Sequence, residues 1–360
     1  MEPIVVGLLG ITHPHASARV RALREIEGVE VVAAADDDPR LHYFTNKYDM
    51  EARSIDAVLQ DERINAIMVH SKSKDMVPHA IRALDAGKSV VVEKPGGATA
   101  TDLQRLAEAE AQAAPGVVVQ VGYNVRLAQS INRAKDLIEA GVIGEVVTVS
   151  ARGAALVGEH LSAHLNQPAD MGGALWVIGC HMLDSLVHMF GAPESVNARV
   201  RKSRRLSDES SREDSAAVLL NYPEMSMTYS FDGHDRLEWF ESSRITVYGT
   251  AGMIEVGILP QKLRVYVDQE HAGWPAGWTE WTQSYFTAPF ARTEVNKFSE
   301  LPELENISNF QPEMRGWVDS IRTGAPVVSP VADALTVARI VAACYRSEKE
   351  QGASADVTSV

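Results

Sequence analysis

The sequence predicts an α/β protein with two domains: an N-terminal domain built on a doubly wound parallel sheet, and a C-terminal α+β domain with a large, open-faced, mainly antiparallel sheet. Short apolar strands alternate with helix-like segments over roughly the first 120 residues, which is typical of a parallel sheet covered by helices on both faces. Longer segments that alternate apolar and polar residues follow, and they favour an antiparallel sheet with one solvated face. The 360 residues, 45% of them hydrophobic, suffice for two cores.

The first domain is predicted to span residues 1–125. Its strands are expected to be continuous apolar runs, because a strand that is buried on both faces shows no alternation. Gly87 ends one of the helices, as glycine commonly does. The predicted strands are Ile4–Leu9, Val29–Ala35, Ala66–Val69, Ser89–Val92 and Val117–Val121, and the predicted helices are Ala16–Glu27, Ile55–Gln60, Val77–Ala86 and Thr101–Ala113.

The second domain is predicted to span residues 126–360. Pro, Gly and Asn separate its strands, as expected for turns between antiparallel neighbours. The predicted strands are Glu145–Ala151, Ser195–Val200, Ser215–Asn221, Met225–Phe231, Arg244–Tyr248, Met253–Val256 and Lys262–Val267. The predicted helices are Ile131–Ala140, Gly173–Phe190, Phe310–Thr323 and Ala332–Gln351. The sequence leaves open whether the last helix packs on the first domain.

The composition argues against two classes of partner. A net charge of −14 would repel a phosphate backbone or an anionic membrane, so we expect neither nucleic acid nor membrane as a partner. Two cysteines, Cys180 and Cys344, cannot form a disulfide framework, which fits a reducing compartment. The sequence shows no signal peptide and no apolar stretch near the roughly 18–20 residues of a membrane span, so we expect a cytoplasmic protein.

The first strand runs into a turn that contains glycine. A dinucleotide site needs such a turn, because glycine lets the backbone approach the pyrophosphate at the N-terminus of the next helix. Gly10 matches the first glycine of the GxGxxG pattern, whereas Thr12 and His15 replace the second and third. An ordinary strand-to-helix turn is the alternative. The predicted cofactor-binding residues of this segment are Gly7, Gly10, Thr12, His13, Pro14 and His15.

Acidic residues stand at the end of the second strand. Asp36 follows Gly10 by 26 residues, which is close to the position where a carboxylate binds the ribose 2′-hydroxyl. Asp37 adds negative charge where a 2′-phosphate would need a cation, so both are predicted to bind the cofactor and to favour NAD over NADP. A solvated turn is the alternative, since Asp and Pro favour turns.

Glu93, Lys94 and Pro95 follow the fourth buried strand. Lysine is usually exposed, and a surface turn would explain it. The carboxyl end of a parallel strand, however, is where open α/β sheets bind ligands. There the ammonium group of Lys94 could polarise a hydroxyl or carbonyl oxygen beside a nicotinamide. Glu93, Lys94 and Pro95 are predicted to contact the cofactor.

Taken in order, these segments resemble the Gfo/Idh/MocA family, which includes glucose–fructose oxidoreductase and inositol dehydrogenase. The resemblance implies a Rossmann domain, then a sheet domain that often forms the oligomer contact, and hydride transfer at a sugar or polyol carbon with tightly held NAD(P). It rests on Gly7 to Gly10, Asp36 to Pro39, Ala86-Gly87-Lys88, Glu93-Lys94-Pro95, Gln120 to Arg126, Gly172 to Leu175, Gly179 to Asp184 and Gly249 to Gly252.

The resemblance also implies roles for single residues. Lys94 matches the catalytic lysine and His181 the catalytic histidine, although a core-facing histidine is the alternative for His181. The acidic residue that usually stands four positions before this histidine is replaced by Val177. Asp184, or Asp170 in the preceding loop, could compensate. Ser71, at the position of a family threonine, and His79, at a frequent family histidine, are predicted to bind the cofactor.

Further polar residues are predicted to contact the substrate, although surface or packing roles are equally open for Tyr123 and Arg152. His160 and His164 have a spacing that zinc sites use, but their segment reads as a loop and lacks thiol ligands, so no metal is predicted. Three tryptophans at positions 274, 278 and 281 could cover the pocket or a subunit interface. The predicted substrate residues are Tyr123, Arg152, His160, His164, Trp176 and Asp184.

These expectations favour an NAD(P)-dependent dehydrogenase or reductase that acts on the secondary carbinol carbon of a sugar, polyol or related hydroxy compound. The expected partners are this small-molecule substrate and a second copy of the chain, as a homodimer or homotetramer formed through the C-terminal sheet. Two alternatives stay open. One is an enzyme that cycles its NAD during sugar elimination or glycoside cleavage, and the other is a cofactor-binding regulator without catalysis.

Overall fold

The computed structural model describes residues 3–155, 172–202, 213–235, 242–258, 260–282, 293–294, 303–304 and 310–358. The chain forms two compact units. One comprises Met1–Asn124 with Ala291–Leu335, and the other Val125–Phe290 with Thr336–Val360. The assignment of a cofactor role to residues 1–125 and a substrate role to residues 126–360 stays a prediction.

The first unit contains a six-stranded sheet in the order β3-β2-β1-β4-β5-β6, and every neighbouring pair is parallel. This confirms the predicted doubly wound parallel sheet. Strands β4 and β5 are buried at every position, which is why the sequence shows them as continuous apolar runs. The strands are β1 (Ile4–Leu9), β2 (Val29–Ala35), β3 (Glu51–Ala52), β4 (Ala66–Val69), β5 (Ser89–Val92) and β6 (Val119–Val121).

The helices of this unit include one from far along the chain. Helix α8 (Phe310–Thr323) packs against α1, and Phe310, Met314 and Trp317 join the same buried cluster as Val20. The other helices are α1 (Pro14–Arg24), α2 (Leu41–Lys47), α3 (Ile55–Gln60), α4 (Ser73–Asp85) and α5 (Ala100–Gln112). Helix α2 and strand β3 were not predicted, because seven- and two-residue elements carry too little periodicity.

The second unit contains a nine-stranded sheet in the order β14-β13-β12-β11-β7-β10-β9-β8-β17. Only the β10–β7 pair is parallel among its described pairs, so the predicted, mainly antiparallel sheet is confirmed. Strand β14 was missed by the sequence prediction. The strands are β7 (Val146–Ala154), β8 (Ser195–Arg201), β9 (Ser215–Asn221), β10 (Ser226–Asp232), β11 (Arg244–Gly249), β12 (Gly252–Gly257), β13 (Lys262–Val267), β14 (Gly277–Thr282) and β17 (Ala355–Asp356). A separate pair is formed by β15 (Thr293–Glu294) and β16 (Glu303–Leu304).

The helices of the second unit include an irregular one. The helix predicted over Gly173–Phe190 consists of a π-helical turn, Leu175–Gly179, followed by α7 (Cys180–Phe190). The other helices are α6 (Gln129–Glu139) and α9 (Val331–Lys349), which belongs to this unit from Thr336 onward. Across the described part of the chain, no helix is long and apolar enough to cross a membrane.

Candidate active site

Gly10 allows the ends of two strands to meet at the turn after β1. Its φ is +92°, and a Cβ there would lie 2.4 Å from the carbonyl carbon of His70 and 2.5 Å from the nitrogen of Ser71. Only glycine fits both the conformation and the space. Gly7, by contrast, is glycine for packing, because a Cβ there would lie 2.6 Å from Val58 in α3.

A cavity of about 240 Å³ opens at the carboxyl ends of β1, β2 and β4. This is the edge at which open parallel sheets bind nucleotides. Six residues that were predicted from the sequence to bind the cofactor line it together: Gly10, Thr12, Asp36, Asp37, Ser71 and His79.

Asp36 is oriented by the backbone around it. Its carboxylate accepts the N–H of Ile11 at 2.7 Å and the N–H of Asp38 at 2.9 Å, which fixes the carboxylate at the rim of the cavity. Burial raises the pKa of Asp36 and the neighbouring Asp37 adds to the rise, although the two hydrogen bonds oppose it. A carboxylate so held can accept hydrogen bonds from ribose hydroxyls.

Ser71 and His79 form the opposite side of the cavity. The Ser71 hydroxyl lies 2.6 Å from Nδ1 of His79, and burial lowers the pKa of His79. The charged residues around this cavity are mostly acidic. Lys72 lines it too, with its Nζ 3.8 Å from the exposed carboxylate of Asp37, and Asp75 contributes a further carboxylate.

Glu93 is wholly buried behind the end of β5, so its carboxylate contacts protein groups. It pairs with the guanidinium of Arg19 in α1, which also donates to both oxygens of Glu313 in α8 at 2.8 Å. The same guanidinium lies 2.9 Å from Nε2 of His70 and donates to the carbonyl oxygen of Gly122 at 3.2 Å. One buried cation therefore ties together two helices and the ends of three strands.

The two carboxylates on Arg19 differ in electrostatics. Burial alone would raise the pKa of Glu93, but Arg19 and then His15 and His13 outweigh burial and hold this pKa well below its ordinary range. Burial raises the pKa of Glu313, and Arg19 only partly opposes that rise. Glu93 is therefore the ion-pair partner that stays charged.

Lys94 and Pro95 come directly after Glu93 in the chain. The peptide bond between them is cis, and Lys94 is 7% exposed. The buried contacts of Glu93 therefore fix the backbone from which the Lys94 side chain extends.

His13, His15 and Glu93 gather beside this segment, with one ligand atom of each within 4.8 Å of the others. That spacing could hold a metal ion. However, Nδ1 of His13 accepts the N–H of His15 at 3.2 Å, which leaves the proton of a neutral His13 on Nε2, the nitrogen nearest to Glu93. Glu93 is also shared with Arg19, so the hydrogen bonds favour a polar cluster over a metal centre.

In the second unit, His181 lies in the first turn of α7 and is 4% exposed. The π-helical turn before it contains Trp176 and Val177, and such turns occur frequently at functional sites. Trp176 is 1% exposed, and its Nε1 has no hydrogen-bond partner within the described ranges.

Glu213 anchors the start of that turn. Its carboxylate accepts the N–H of Leu175 at 3.0 Å and the hydroxyl of Tyr345 at 3.0 Å. A Cβ on Gly173 would lie 1.8 Å from a Glu213 carboxylate oxygen, which explains the glycine at this position. The helix that carries His181 thus begins on a buried acidic residue that the sequence did not point to.

The remaining predicted substrate residues are dispersed. Both oxygens of Asp184 accept from Arg126, at 2.8 Å and 2.5 Å, so the two residues form a buried ion pair. Arg152 faces away from α7, because the Cβ position of the next residue, Gly153, lies 3.2 Å from Met182 in that helix and side chains alternate along a strand. Arg152 instead pairs with two acidic residues, Asp232 at 3.4 Å and Asp235 at 3.2 Å.

Tyr123 is fully buried just after β6. His160, His164 and Asp170 lie outside the described residues. The sequence reasoning missed Arg19, His70 and Glu313. None of the three carries a local sequence signal; Arg19, for example, stands two positions before another arginine, Arg21, in the same helix.

Comparisons with known proteins identify the family of both units. Residues 3–123 match the oxidoreductase family model with an NAD-binding Rossmann fold, and residues 131–255 match the C-terminal domain of GFO/IDH/MocA proteins. The chain is 25% identical over 300 residues to a scyllo-inositol 2-dehydrogenase (NADP⁺) of Bacillus subtilis, covering 82% of this chain and 80% of that protein.

Two further relatives extend the comparison. An inositol 2-dehydrogenase of Salmonella typhimurium is 30% identical over 151 residues, which is 41% of this chain and 43% of that protein. A levoglucosan dehydrogenase solved with NADH and levoglucosan shares the fold, with a TM-score of 0.82 at 18% identity over 99% of this chain and 100% of that one. Together, the two family models cover most of the chain, and the predicted resemblance is confirmed. The chain is an NAD(P)-dependent oxidoreductase of the Gfo/Idh/MocA family.

Proposed function

We propose that this protein is an NAD-dependent dehydrogenase or reductase for the secondary carbinol carbon of a sugar, polyol or related hydroxy compound. The observation that carries the proposal is the cavity at the carboxyl ends of β1, β2 and β4, with Asp36 at its rim, in the same unit as the buried Lys94. The names of the relatives support the substrate class, since they act on inositols and levoglucosan.

The described residues fit a dinucleotide. Asp36 would hold the ribose hydroxyls of the adenosine half. Thr12, Ser71 and His79 would line its pocket beside Gly10. The turn formed by His13, Pro14 and His15 would face the pyrophosphate, and Lys94-Pro95 would face the nicotinamide, with Glu93 holding that segment from behind. When bound, the nicotinamide supplies the hydride acceptor.

The chain's own residues would then handle the proton and the charge. His181 would accept the hydroxyl proton of the substrate as a general base. Lys94 would stabilise the oxygen as negative charge develops on it. Tyr123 and Trp176, together with His160, His164 and Asp184, are the proposed substrate contacts.

A substrate screen tests the proposal. Purified protein would be mixed with NAD and a panel of sugars, polyols and hydroxy acids while NADH absorbance is followed. We expect turnover with at least one cyclic polyol or sugar. Absence of turnover with the whole panel, in both directions and with both NAD and NADP, would contradict the proposal.

Replacement of the two proposed catalytic residues is the next test. Lys94→Ala and His181→Ala should each lower kcat by about 10²–10⁴-fold, the usual contribution of a positioned proton-transfer or charge-stabilising group. The dissociation constant for NAD should change little. Lys74→Ala, which removes an exposed lysine of the same unit, is the matched control. A kcat that is unchanged in Lys94→Ala would remove this lysine from the mechanism.

The charged residues that line the cavity predict which cofactor the protein prefers. A 2′-phosphate bound in this cavity would meet the carboxylates of Asp36, Asp37 and Asp75, with Lys72 as the lysine that lines it. Like charges in contact cost several kcal/mol, so kcat/KM should favour NAD over NADP by more than about tenfold. Replacement of both Asp36 and Asp37 by Ser should narrow that ratio, whereas Asp38→Asn, at a residue already paired with Arg40, should not. A wild-type preference for NADP, the cofactor named for the Bacillus subtilis relative, would contradict this.

Val177 favours one other candidate function. The usual acidic partner of His181 is absent from this position, which would suit an enzyme that oxidises a sugar carbon only transiently and returns the hydride after elimination or glycoside cleavage. Such an enzyme would release product without net NADH. A regulator without catalysis would bind NAD and turn over none of the panel.

A further inference from the structure

Several backbone N–H groups of the turn between β1 and α1 are already engaged within the protein and do not serve an anion. In dinucleotide-binding folds, backbone N–H groups at this turn approach the pyrophosphate. Here Pro14 has no N–H, and four other N–H groups donate within the protein. They belong to Gly10, Ile11, His15 and Ala16, and their acceptors are Ala35 O, the Asp36 carboxylate, His13 Nδ1 and His13 O.

The same turn carries two imidazoles, those of His13 and His15. His13 is the N-cap of α1, and because its Nδ1 accepts a hydrogen bond, a neutral ring carries its proton on Nε2. This Nε2 lies 3.8 Å from the Glu93 carboxylate, beyond hydrogen-bond distance, so it can donate to a phosphate oxygen without His13 gaining charge. Its ring packs edge-on against that of His15, with centroids 4.4 Å apart.

His15 is placed to gain charge. Its Nδ1 lies 2.9 Å from the Glu93 carboxylate, the buried acid that stays ionised. An N–H at Nδ1 that donates to Glu93 leaves Nε2 as an acceptor, which cannot bind a phosphate oxygen until it is protonated. Protonation at Nε2 would turn the same ring into a cationic donor.

We propose that dinucleotide binding is coupled to proton uptake by His15, whose imidazolium, held by Glu93, pairs with the pyrophosphate alongside the neutral N–H of His13. This rests on the proposed function, because it assumes that the turn receives a dinucleotide. The consequence is a cofactor affinity that falls as pH rises.

The charges around His15 favour a neutral ring in the free protein, so that the proton is taken up when the dinucleotide binds. Burial lowers the pKa of His15, and the positive charges of Lys94 and Arg19 lower it further. The negative charge of Glu93 raises it. The free protein therefore holds His15 mostly neutral at neutral pH. A pyrophosphate adds two negative charges and favours the charged ring. The titratable or charged groups that face His15 are His13 and Arg19 from the turn and α1, Glu93 and Lys94 from the end of β5, and His70 from the end of β4.

Calorimetry in two buffers of different ionisation enthalpy measures the uptake directly. At about pH 7, the wild-type protein should take up close to one proton per NAD bound. Its Kd for NAD should rise by up to about tenfold per pH unit between the pKa of His15 in the free protein and its pKa in the complex. His15→Gln, which keeps a hydrogen bond to Glu93 but cannot be protonated, should bind NAD more weakly, without uptake and without that pH slope. His13→Asn, which keeps a capping side chain, should weaken binding but retain the uptake.

Adenosine is the control probe, because it occupies the nucleoside pocket without phosphates. Its binding should be equal in wild type and His15→Gln, which also verifies that the variant is folded. NAD binding without proton uptake, or uptake that persists in His15→Gln, would overturn this inference and leave the proposed function intact. A failure of the wild-type protein to bind NAD at any pH would overturn both.

Discussion

Single residues decide where the helix of His181 begins. Glu213 accepts the N–H of Leu175 at 3.0 Å, and Gly173 leaves the space for its carboxylate. A methyl group at Gly173 would displace that carboxylate, and the buried N–H of Leu175 would then lose its acceptor. An unsatisfied buried group costs about 1–3 kcal/mol.

We therefore expect Gly173→Ala to lower the stability of the protein by about 2 kcal/mol and to lower kcat through the start of the His181 helix. In a Glu213→Ala background, Gly173→Ala should lower the stability much less, because the new Cβ no longer meets the Glu213 carboxylate. Thermal unfolding of the two single variants and the double variant measures this coupling. Ser230→Ala, which removes a hydroxyl at an exposed position of β10, is the control. Additive effects would show that Gly173 and Glu213 do not interact.

At the scale of elements, Arg19 connects α1, α8 and the strand end that carries Lys94. Glu93→Gln leaves this cation with a neutral partner at β5 and should lower stability by about 3 kcal/mol near pH 7, as for a broken buried ion pair. Glu313→Gln should cost much less there, because burial already favours the uncharged form of Glu313.

The pH dependence separates the two carboxylates. The folded pKa of Glu93 lies below the ordinary 4.5, so its stabilisation is complete above that pH and is lost as pH falls through the folded value. The stability difference between wild type and Glu93→Gln should therefore shrink in acid. The folded pKa of Glu313 is raised, so the penalty of ionising it grows as pH rises. Thermal midpoints from pH 3 to pH 8 would show opposite trends for the two variants, and parallel trends would contradict this assignment.

The same elements show which parts of the fold and of the site could be predicted from the sequence. Strands β1, β2, β4 and β5 were predicted at their observed bounds, because burial on both faces leaves a continuous apolar run between turn signals. Gly10, Thr12, Asp36 and Asp37 were predicted from their positions after β1 and β2. Ser71 and His79 were predicted from the family resemblance. Glu313 could not be predicted in this way, since it meets Arg19 across 294 residues of chain and a long-range ion pair has no local pattern.

The site in the second unit shows the other limit. His181 was found through a motif, but the π-helical turn before it was read as ordinary helix, because one extra residue per turn hardly alters an apolar pattern. The substrate role of Arg152 stays a prediction, but the sequence left its orientation open, and its parity along β7 places it on the face opposite α7. Whether a strand residue points towards the helix or away from it depends on which face of the sheet the helix covers. That is decided by the tertiary structure and not by the local sequence.

For the whole molecule, the nine-stranded sheet presents two unlike faces. On one, the row of Val265, Ile254, Val247 and Val149 is fully buried. On the other, aromatic and apolar side chains form a row across four strands, from Trp278 through Tyr266 and Met253 to Tyr248. Trp278 and Tyr248 are 47% and 45% exposed, and Arg264 stacks on Trp278 at 4.2 Å. Aromatic residues and arginine on one face are the composition of a protein interface.

This outward face is where a second copy of the chain is expected to bind, giving a homodimer or a homotetramer. Sedimentation of the purified protein should show a mass of at least two chains, and Trp278→Lys combined with Tyr248→Lys should shift it towards the monomer, because two buried charges would oppose each other across a symmetric contact. Tyr43→Lys, which replaces an exposed aromatic residue of the first unit, should leave the mass unchanged. A monomeric wild type would exclude this face as a self-association surface. An oligomer that survives the double substitution would move the contact elsewhere, and the exposed row would then need another partner.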